Sequence, residues 1–331
     1  MKHSTFEIID GRCVIPEGVT ELQGRSFSGC DHLKEVRLPS SVKSIHKEAF
    51  YDCWGLTSIL IPAGVTTIEQ GAFLGCPGIE AISVEEGNQV YKSEAGCCLT
   101  KDGRTLVLGC KTSIIPNTVE TIARSAFQWC EELTAIRIPE SVTCIGSRAF
   151  YGCLSLRRLA FPDDCRLKEI GDDAFSHCPA LRIITLPDCI AGIGRGAFAH
   201  CINLWSINIP RSVNHIADGS FYKCPILSNF TLPDTVASIG HYAFFGCHNL
   251  EGLRIPASVR SIGSHAFAEC GREEPVRIPA TVEYTGPDVS SIYVPEEIVI
   301  PDRLEPARDD PYELPFRLSR EAGNDSRTNE Y

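Results

Sequence analysis

Three regularities predict a β-rich repeat solenoid. First, a Phe followed three residues later by a Cys returns along the chain with a step of 23 residues nearly throughout. The pairs are Phe27/Cys30, Phe50/Cys53, Phe73/Cys76, Phe127/Cys130, Phe150/Cys153, Phe175/Cys178, Phe198/Cys201, Phe221/Cys224, Phe244/Cys247 and Phe267/Cys270. Second, a Pro recurs at the same step from Pro16 and Pro39 onward to Pro256 and Pro279. Third, each Pro follows a short alternating run, of which Leu156, Leu159 and Phe161, with Arg158 and Ala160 between, is typical. A fixed period of roughly 20 to 50 residues marks stacked units that bury their apolar faces against one another. About ten full turns are expected, and this overrides the length prior of two globular domains for 331 residues.

In chain order, residues 6–15 read as a capping hairpin, because Asp10-Gly11 sits between two apolar-rich runs. Terminal solenoid units need such a cover. Residues 16–278 are the repeats. In the unit from Pro139, Leu159 and Phe161 point inward from a short strand that Pro162 ends by removing a ladder donor. Val142 and Ile145 form an inward pair on the opposite side of the coil. Ala149 is small where the chain turns closely, and Phe150 fills the centre, meeting the rings above and below. Burying one such ring stabilises by roughly 1.5–3 kcal/mol. A column of ten rungs, closed by Phe267 and Cys270, is therefore expected to be a main stabilising contribution. The period breaks at Asp163–Arg166 by two residues, and between Pro62 and Pro116 by 31. The second break reads as a β-hairpin insert over about 85–115 that projects from the solenoid, turning at Lys101-Asp102-Gly103. Residues 279–301 read as a C-terminal cap, and the charged, Pro-containing stretch 302–331 as a disordered tail.

Composition narrows function. A net charge of -11 argues against a general nucleic-acid binder, which needs a basic footprint. No run approaches the ~18 apolar residues of a membrane helix, so no membrane insertion is expected. The N-terminus has no apolar signal-peptide core, and as written the chain reads as cytoplasmic. The 17 cysteines do not follow a disulfide-scaffold spacing. Stacked coils make their Cβ vectors parallel, a poor disulfide geometry, so a reduced, buried cysteine ladder is expected.

The unit Ile-Pro-x-Ser-Val-Thr-x-Ile-Gly-x-x-Ala-Phe-x-Gly-Cys-x-x-Leu-x-x-Ile resembles the BspA-like subclass of leucine-rich repeats over roughly residues 6–300. The insert is similar to one in that family at Asn88, Tyr91, Ser93 and Lys101-Asp102-Gly103, and departs from it at Gly96-Cys97-Cys98-Leu99-Thr100. The resemblance implies a right-handed leucine-rich-repeat superhelix with a parallel sheet on one face. It also implies a binding role, often at a cell surface, where some members are adhesins. It supplies no catalytic residues.

The outward strand positions are the candidate binding face. Arg37, Arg137, Arg158, Trp205, Asn208, Asn229, Thr231, Arg254 and Arg277 are its candidate contacts, since Arg and Trp are favoured interface anchors. The leading expectation is a non-enzymatic monomer that binds an unknown protein partner through this face and carries no cofactor. An adhesin for host matrix or glycan is the alternative, and a thiol-based redox or metal-binding protein the second. Cys97-Cys98 with Cys110 lacks C-x-x-C spacing, and His177 and His200 alternate with their cysteines, so neither set makes a good metal chelate. No Gly-x-Ser-x-Gly, phosphate loop or His-Glu-x-x-His occurs, so no enzymatic activity is expected.

Overall fold

The computed structural model describes residues 6–271, 276–285 and 292–293. Among these, every regular element is a short β-strand. Each coil has three sides, set by three kinds of sequence. The apolar alternation before each Pro gives the strand flank, represented by Glu35–Arg37, Ala135–Arg137 and Arg158–Ala160. The Val-x-x-Ile stretch gives a second flank of two-residue strands such as Ser44–Ile45 and Cys144–Ile145. The Ala-Phe-x-x-Cys stretch makes the third side, a run of tight turns. Each Pro stands at the first position of the corner between the two flanks: its carbonyl accepts the amide three residues on, as in Val142 N to Pro139 O at 3.2 Å.

Coils pair in parallel with registers one repeat apart. Ala135 faces Arg158 and Arg137 faces Ala160 on the strand flank. The parallel pairing is not confined to one face, because the second flank carries its own ladder, with Cys144 against Glu169 and Ile145 against Ile170. The Gly after that Ile permits the close approach. A methyl at Gly146 would lie 2.7 Å from the Arg124 nitrogen, and one at Gly171 2.6 Å from the Ser147 nitrogen. Ser or Thr two residues after Pro bonds the coil beneath: Ser41 Oγ donates to Val19 O at 2.8 Å, Ser141 Oγ to Val119 O at 2.7 Å and Ser258 Oγ to Val236 O at 2.7 Å.

The turn side is a hydrogen-bonded stack in its own right. Amides alternate between bonds within the coil, as Tyr51 N to Glu48 O at 3.0 Å, and bonds to the next coil, as Phe27 N to Ala49 O at 2.8 Å. That alternation requires left-handed backbone two residues before and two residues after each Phe. Glycine fills some of these places, such as Gly75 and Gly152, and ordinary residues such as Glu48, Lys223 and Glu269 fill others. All ten ladder Phe rings are buried. Successive rings stack, 5.0 Å apart for Phe27 and Phe50 and 5.1 Å for Phe150 and Phe175. All ten ladder cysteines are buried, and all 17 cysteines are free thiols. In eight coils the ladder thiol donates to the Phe carbonyl of the coil beneath, at 3.0 Å for Cys53 to Phe27 and 3.3 Å for Cys153 to Phe127. A weak donor of small volume is what that carbonyl, enclosed among stacked rings, can accept without a cavity or a clash.

The ten rungs do not form the single column expected from Phe27/Cys30 to Phe267/Cys270. Phe27, Phe50 and Phe73, with Cys30, Cys53 and Cys76, lie in one core. The seven pairs from Phe127/Cys130 to Phe267/Cys270 lie in a second. The physical reason is the insert, which occupies the level between Phe73 and Phe127 and parts the two columns. Cys30 and Cys130 open the two ladders, so no repeat Phe carbonyl lies beneath either. Cys270 closes the second ladder. It is 2% exposed, and its thiol donates to Phe244 O at 2.9 Å. Among the described residues it meets one ladder thiol, Cys247, whereas an interior rung such as Cys153 lies between two, Cys130 and Cys178.

The insert also differs from the expected projecting hairpin. Tyr91–Glu94, Cys97–Thr100 and Thr105–Leu108 form an antiparallel meander, and the last of them pairs in parallel with Thr121–Ile122. The meander therefore extends the second flank instead of leaving the stack. The reason is apolar burial on both sides of its middle strand, where Cys97, Cys98 and Leu99 are all inaccessible to solvent. Asn88 is buried where the repeat breaks, and its carboxamide is fully used. Nδ2 donates to Pro62 O at 2.9 Å and Val65 O at 3.0 Å, while Oδ1 accepts Val90 N at 2.8 Å and Tyr91 N at 2.7 Å. Tyr91 Oη accepts Ile68 N at 3.1 Å and Ser93 Oγ accepts Val84 N at 3.1 Å, so both supply partners that a following coil would otherwise give.

At the N-terminus, Asp10 and Gly11 both have positive φ and close a two-residue turn, with Ile9 N to Arg12 O at 2.9 Å. Arg12–Val14 then joins the strand flank in parallel against Glu35–Arg37, and Phe6 lies 5.5 Å from Phe27, at the end of the ring column. Of the expected C-terminal cap, Tyr284–Thr285 and Ile292–Tyr293 extend the two flanks in parallel. The expected tail, 302–331, lies outside the described residues.

Candidate binding face

The strand flank presents outward side chains because its inward ones are committed to the core. In Ala135–Arg137 the middle residue is buried and the outer two are exposed. All nine candidate residues, Arg37, Arg137, Arg158, Trp205, Asn208, Asn229, Thr231, Arg254 and Arg277, are exposed on this one flank. Coil stacking aligns them into columns: Ser206 bridges to Asn229, and Arg254 to Arg277. Two of them also serve the scaffold. Asn208 Oδ1 accepts Leu186 N at 2.7 Å and its Nδ2 donates to Leu186 O at 2.8 Å, and Asn229 Nδ2 donates to Ser206 Oγ at 2.8 Å. These side chains replace ladder bonds where the strands are only two residues long.

A third outward column lies at the corner before each strand. There Thr134 O accepts both Arg157 N and Arg158 N, and Arg182 O accepts Trp205 N and Ser206 N. Doubly used carbonyls fix this corner, and it exposes Arg157, Arg182 and Trp205. Of these only Trp205 was among the sequence candidates; the signal for the others was an Arg directly after the repeat Leu. Ile183, 60% exposed, stands beside Trp205, 47% exposed, on neighbouring coils. Farther toward the N-terminus the flank exposes Val14 and Leu60.

The thiols offer little chemistry. Burial pushes Cys98 up to about 12 and raises Cys153, Cys178 and Cys224 well above the ordinary thiol range. Cys247 is raised in the same way, first by burial and then by the adjacent Cys270 thiol. Thiolates, not thiols, are nucleophiles and metal ligands, so such groups are poorly suited to redox exchange. His177 is held neutral, its pKa pushed down to about 3 by burial and then by His200, with which it stacks at 4.3 Å. Among the described residues no group of three or more His, Cys, Asp or Glu side chains could hold a metal ion. No helix among them is long and apolar enough to cross a membrane.

Comparison with known proteins bears on this architecture. Among solved structures, a leucine rich cell surface protein of Faecalibacterium prausnitzii is 34% identical, with a TM-score of 0.58 over 66% of this chain and 58% of its own. The present chain thus spans less than two thirds of that protein. The pneumococcal vaccine antigen PcpA (19% identity, TM-score 0.54, 87% of this chain and 67% of its own) shares the fold. So does a leucine-rich repeat protein of Eubacterium ventriosum (20% identity, TM-score 0.56, 88% and 80%). Among curated proteins, none matches this chain significantly. The family description "BspA type Leucine rich repeat region" fits 6 copies, spanning residues 11–100, 108–226 and 168–289. With most of its length accounted for by that repeat and folded as its coils, the chain belongs to the BspA-type leucine-rich repeat family.

Proposed function

We propose that this protein is a non-enzymatic binding module that engages a protein partner through the strand flank. The observation that carries the reading is the alignment of exposed, chemically varied side chains on a rigid parallel ladder. Arg137, Arg158, Trp205 and Thr231 stand on one side of coils whose inward side chains are locked in a continuous core. Preorganised positions cost little entropy on binding, and Arg and Trp anchors supply most of the affinity. The test is photo-crosslinking from chosen positions in the source cells. A crosslinking residue at Arg137, Trp205 or Thr231 captures a common partner, while one at Lys168 or His215 on the second flank does not. Equal capture from both flanks would remove the assignment.

The likeness to the Faecalibacterium surface protein favours a second reading, adhesion at a cell surface. Impermeant biotinylation of intact source cells separates the two: labelling of the full chain supports adhesion, and recovery only from the lysed fraction excludes it.

A further inference from the structure

We infer that the strand flank between Thr134 and Thr231 binds an acidic, extended protein segment; this rests on reading that flank as the binding face. Of the outward positions that those coils present on the strand flank, four are arginines, Arg137, Arg157, Arg158 and Arg182, and none is Asp or Glu. The whole chain carries -11, so this strip opposes the sign of the molecule around it. Six arginines elsewhere are neutralised by the neighbouring coil: Arg12 by Glu35, Arg25 by Glu48, Arg104 by Glu120, Arg148 by Asp173, Arg195 by Asp218 and Arg260 by Glu283. None of the four on the strip makes an ion pair among the described residues. Four exposed guanidinium groups held on adjacent coils, with their carboxylate partners missing, are complementary to a row of carboxylates supplied from outside.

Spacing and polarity select the form of that row. Coils repeat at about 4.8 Å, and alternate residues of an extended chain lie about 6.8 Å apart, within the reach of long Arg side chains. At the end of the arginine strip, Ile183 and Trp205 are exposed on consecutive coils. A purely anionic polymer would neutralise the arginines and leave this apolar pair uncovered. A peptide with carboxylates beside an apolar side chain satisfies both, which is why a protein segment is favoured over a sulfated polysaccharide.

The test uses the full chain and a synthetic fluorescent peptide of alternating Glu and Thr with a central Leu-Phe, read by anisotropy. The triple variant Arg137→Gln, Arg158→Gln, Arg182→Gln, with an unchanged melting profile, is expected to weaken binding by about tenfold or more, and Trp205→Ala by several-fold. The triple Arg104→Gln, Arg195→Gln, Arg260→Gln removes the same charge off the strip and is expected to leave binding unchanged. Replacing the strip arginines by Lys keeps the charge, loses the two-pronged geometry and gives an intermediate affinity. The proposal is overturned if the peptide does not bind, if both Gln triples weaken it equally, or if heparin or anionic vesicles bind the strip while the peptide does not. If the crosslinks at Arg137 and Trp205 persist in those cases, only the acidic class of partner falls. If the crosslinks fail as well, the face itself is wrong.

Discussion

The molecule contains two stacks that solve the same packing problem differently. In the N-terminal one, Phe6, Phe27, Phe50 and Phe73 form a short ring column. Where five coils of the other stack have Gly after the second-flank Ile, this stack has His46 and Glu69. They tie coils together through side chains: Glu69 accepts from His46 Nδ1 at 2.9 Å and from Lys47 N at 2.7 Å. In the C-terminal stack, seven rings run from Phe127 to Phe267, and Gly146, Gly171, Gly194, Gly240 and Gly263 let one backbone lie directly on the next. The meander is the wall between them. Cys98 packs in the N-terminal core, while Cys97 and Leu99 on either side of it pack in the C-terminal core. A solenoid can therefore be interrupted without exposing either end, provided one strand is apolar on both faces. Stability of such stacks is close to a sum of nearest-neighbour interfaces, so the wall is where the two can be uncoupled.

The largest expected effect follows from breaking that wall. Cys98→Asp would bury an unpaired carboxylate at a fully buried site, at a cost of roughly 5 kcal/mol. The N-terminal stack should lose protection in hydrogen exchange while the longer stack stays folded, and urea unfolding should split into two transitions. A single transition shifted as a whole would mean that the cores act as one. Next comes the ring column. Phe150→Ala, with Phe127 and Phe175 stacked on its two sides, is expected to cost about 4 kcal/mol. Phe73→Ala should cost nearer 3 kcal/mol by the same urea measurement, because Phe73 stacks on Phe50 and its other side meets the insert.

The ring and thiol rungs, the Pro corners and the outward columns were legible in the sequence because each repeats at one period and each needs one residue type. The division of the rungs into two columns was not, since Phe73/Cys76 and Phe267/Cys270 carry the same residues as every interior rung. The wall that divides them was less legible too. Cys97-Cys98-Leu99 does not alternate, and an apolar run without alternation signals a strand buried on both faces, which a projecting hairpin cannot offer. The left-handed positions were only half marked: Gly75 and Gly152 announce them, Glu48 and Lys223 do not. There, turn geometry imposed by the neighbouring coils overrides local preference. Arg157 and Arg182 were missed because strict strand alternation assigns one outward residue in two, and the corner adds another. Their lack of carboxylate partners depends on which residues adjacent coils bring near, and that is a property of register.

Acid should separate the stacks through their histidines. His177 in the C-terminal stack has a folded pKa of about 3, below the ordinary value of about 6.5. Between those values the unfolded chain binds the extra proton, so stability falls on acidification, by at most about 1.4 kcal/mol per pH unit from this group. His46 in the N-terminal stack is raised, first by its hydrogen bond to Glu69. Its contribution is complete below the unfolded His pKa and is lost as pH rises through the folded one. Hydrogen exchange at about pH 7 and about pH 5.5 should show the C-terminal stack loosening on acidification more in the wild type than in His177→Phe. The N-terminal stack should not loosen through His46. An identical acid response in the variant would show that His177 is not responsible.

The smallest effect tests the turn side, where both stacks pay a conformational cost at the same position of the repeat. Two residues after the ring, Gly75 has φ 74° and Glu269 has φ 58°. The first is already the residue that this backbone prefers, and the second is not. Glu269 is exposed, and its backbone carbonyl, not its side chain, accepts His248 Nδ1 at 2.8 Å, a bond that Gly would keep. Glu269→Gly is therefore expected to stabilise the C-terminal stack by about 0.5 kcal/mol, the relief of left-handed strain exceeding the added freedom of the unfolded chain. Gly75→Ala should destabilise the N-terminal stack by about 1 kcal/mol, since its new methyl would lie 3.2 Å from Asp52 N as well as at positive φ. Thermal melts of the two variants should move in opposite directions. If Glu269→Gly lowers the melting temperature, the stacked turns hold the left-handed conformation without strain, and the cost assigned to these positions is wrong.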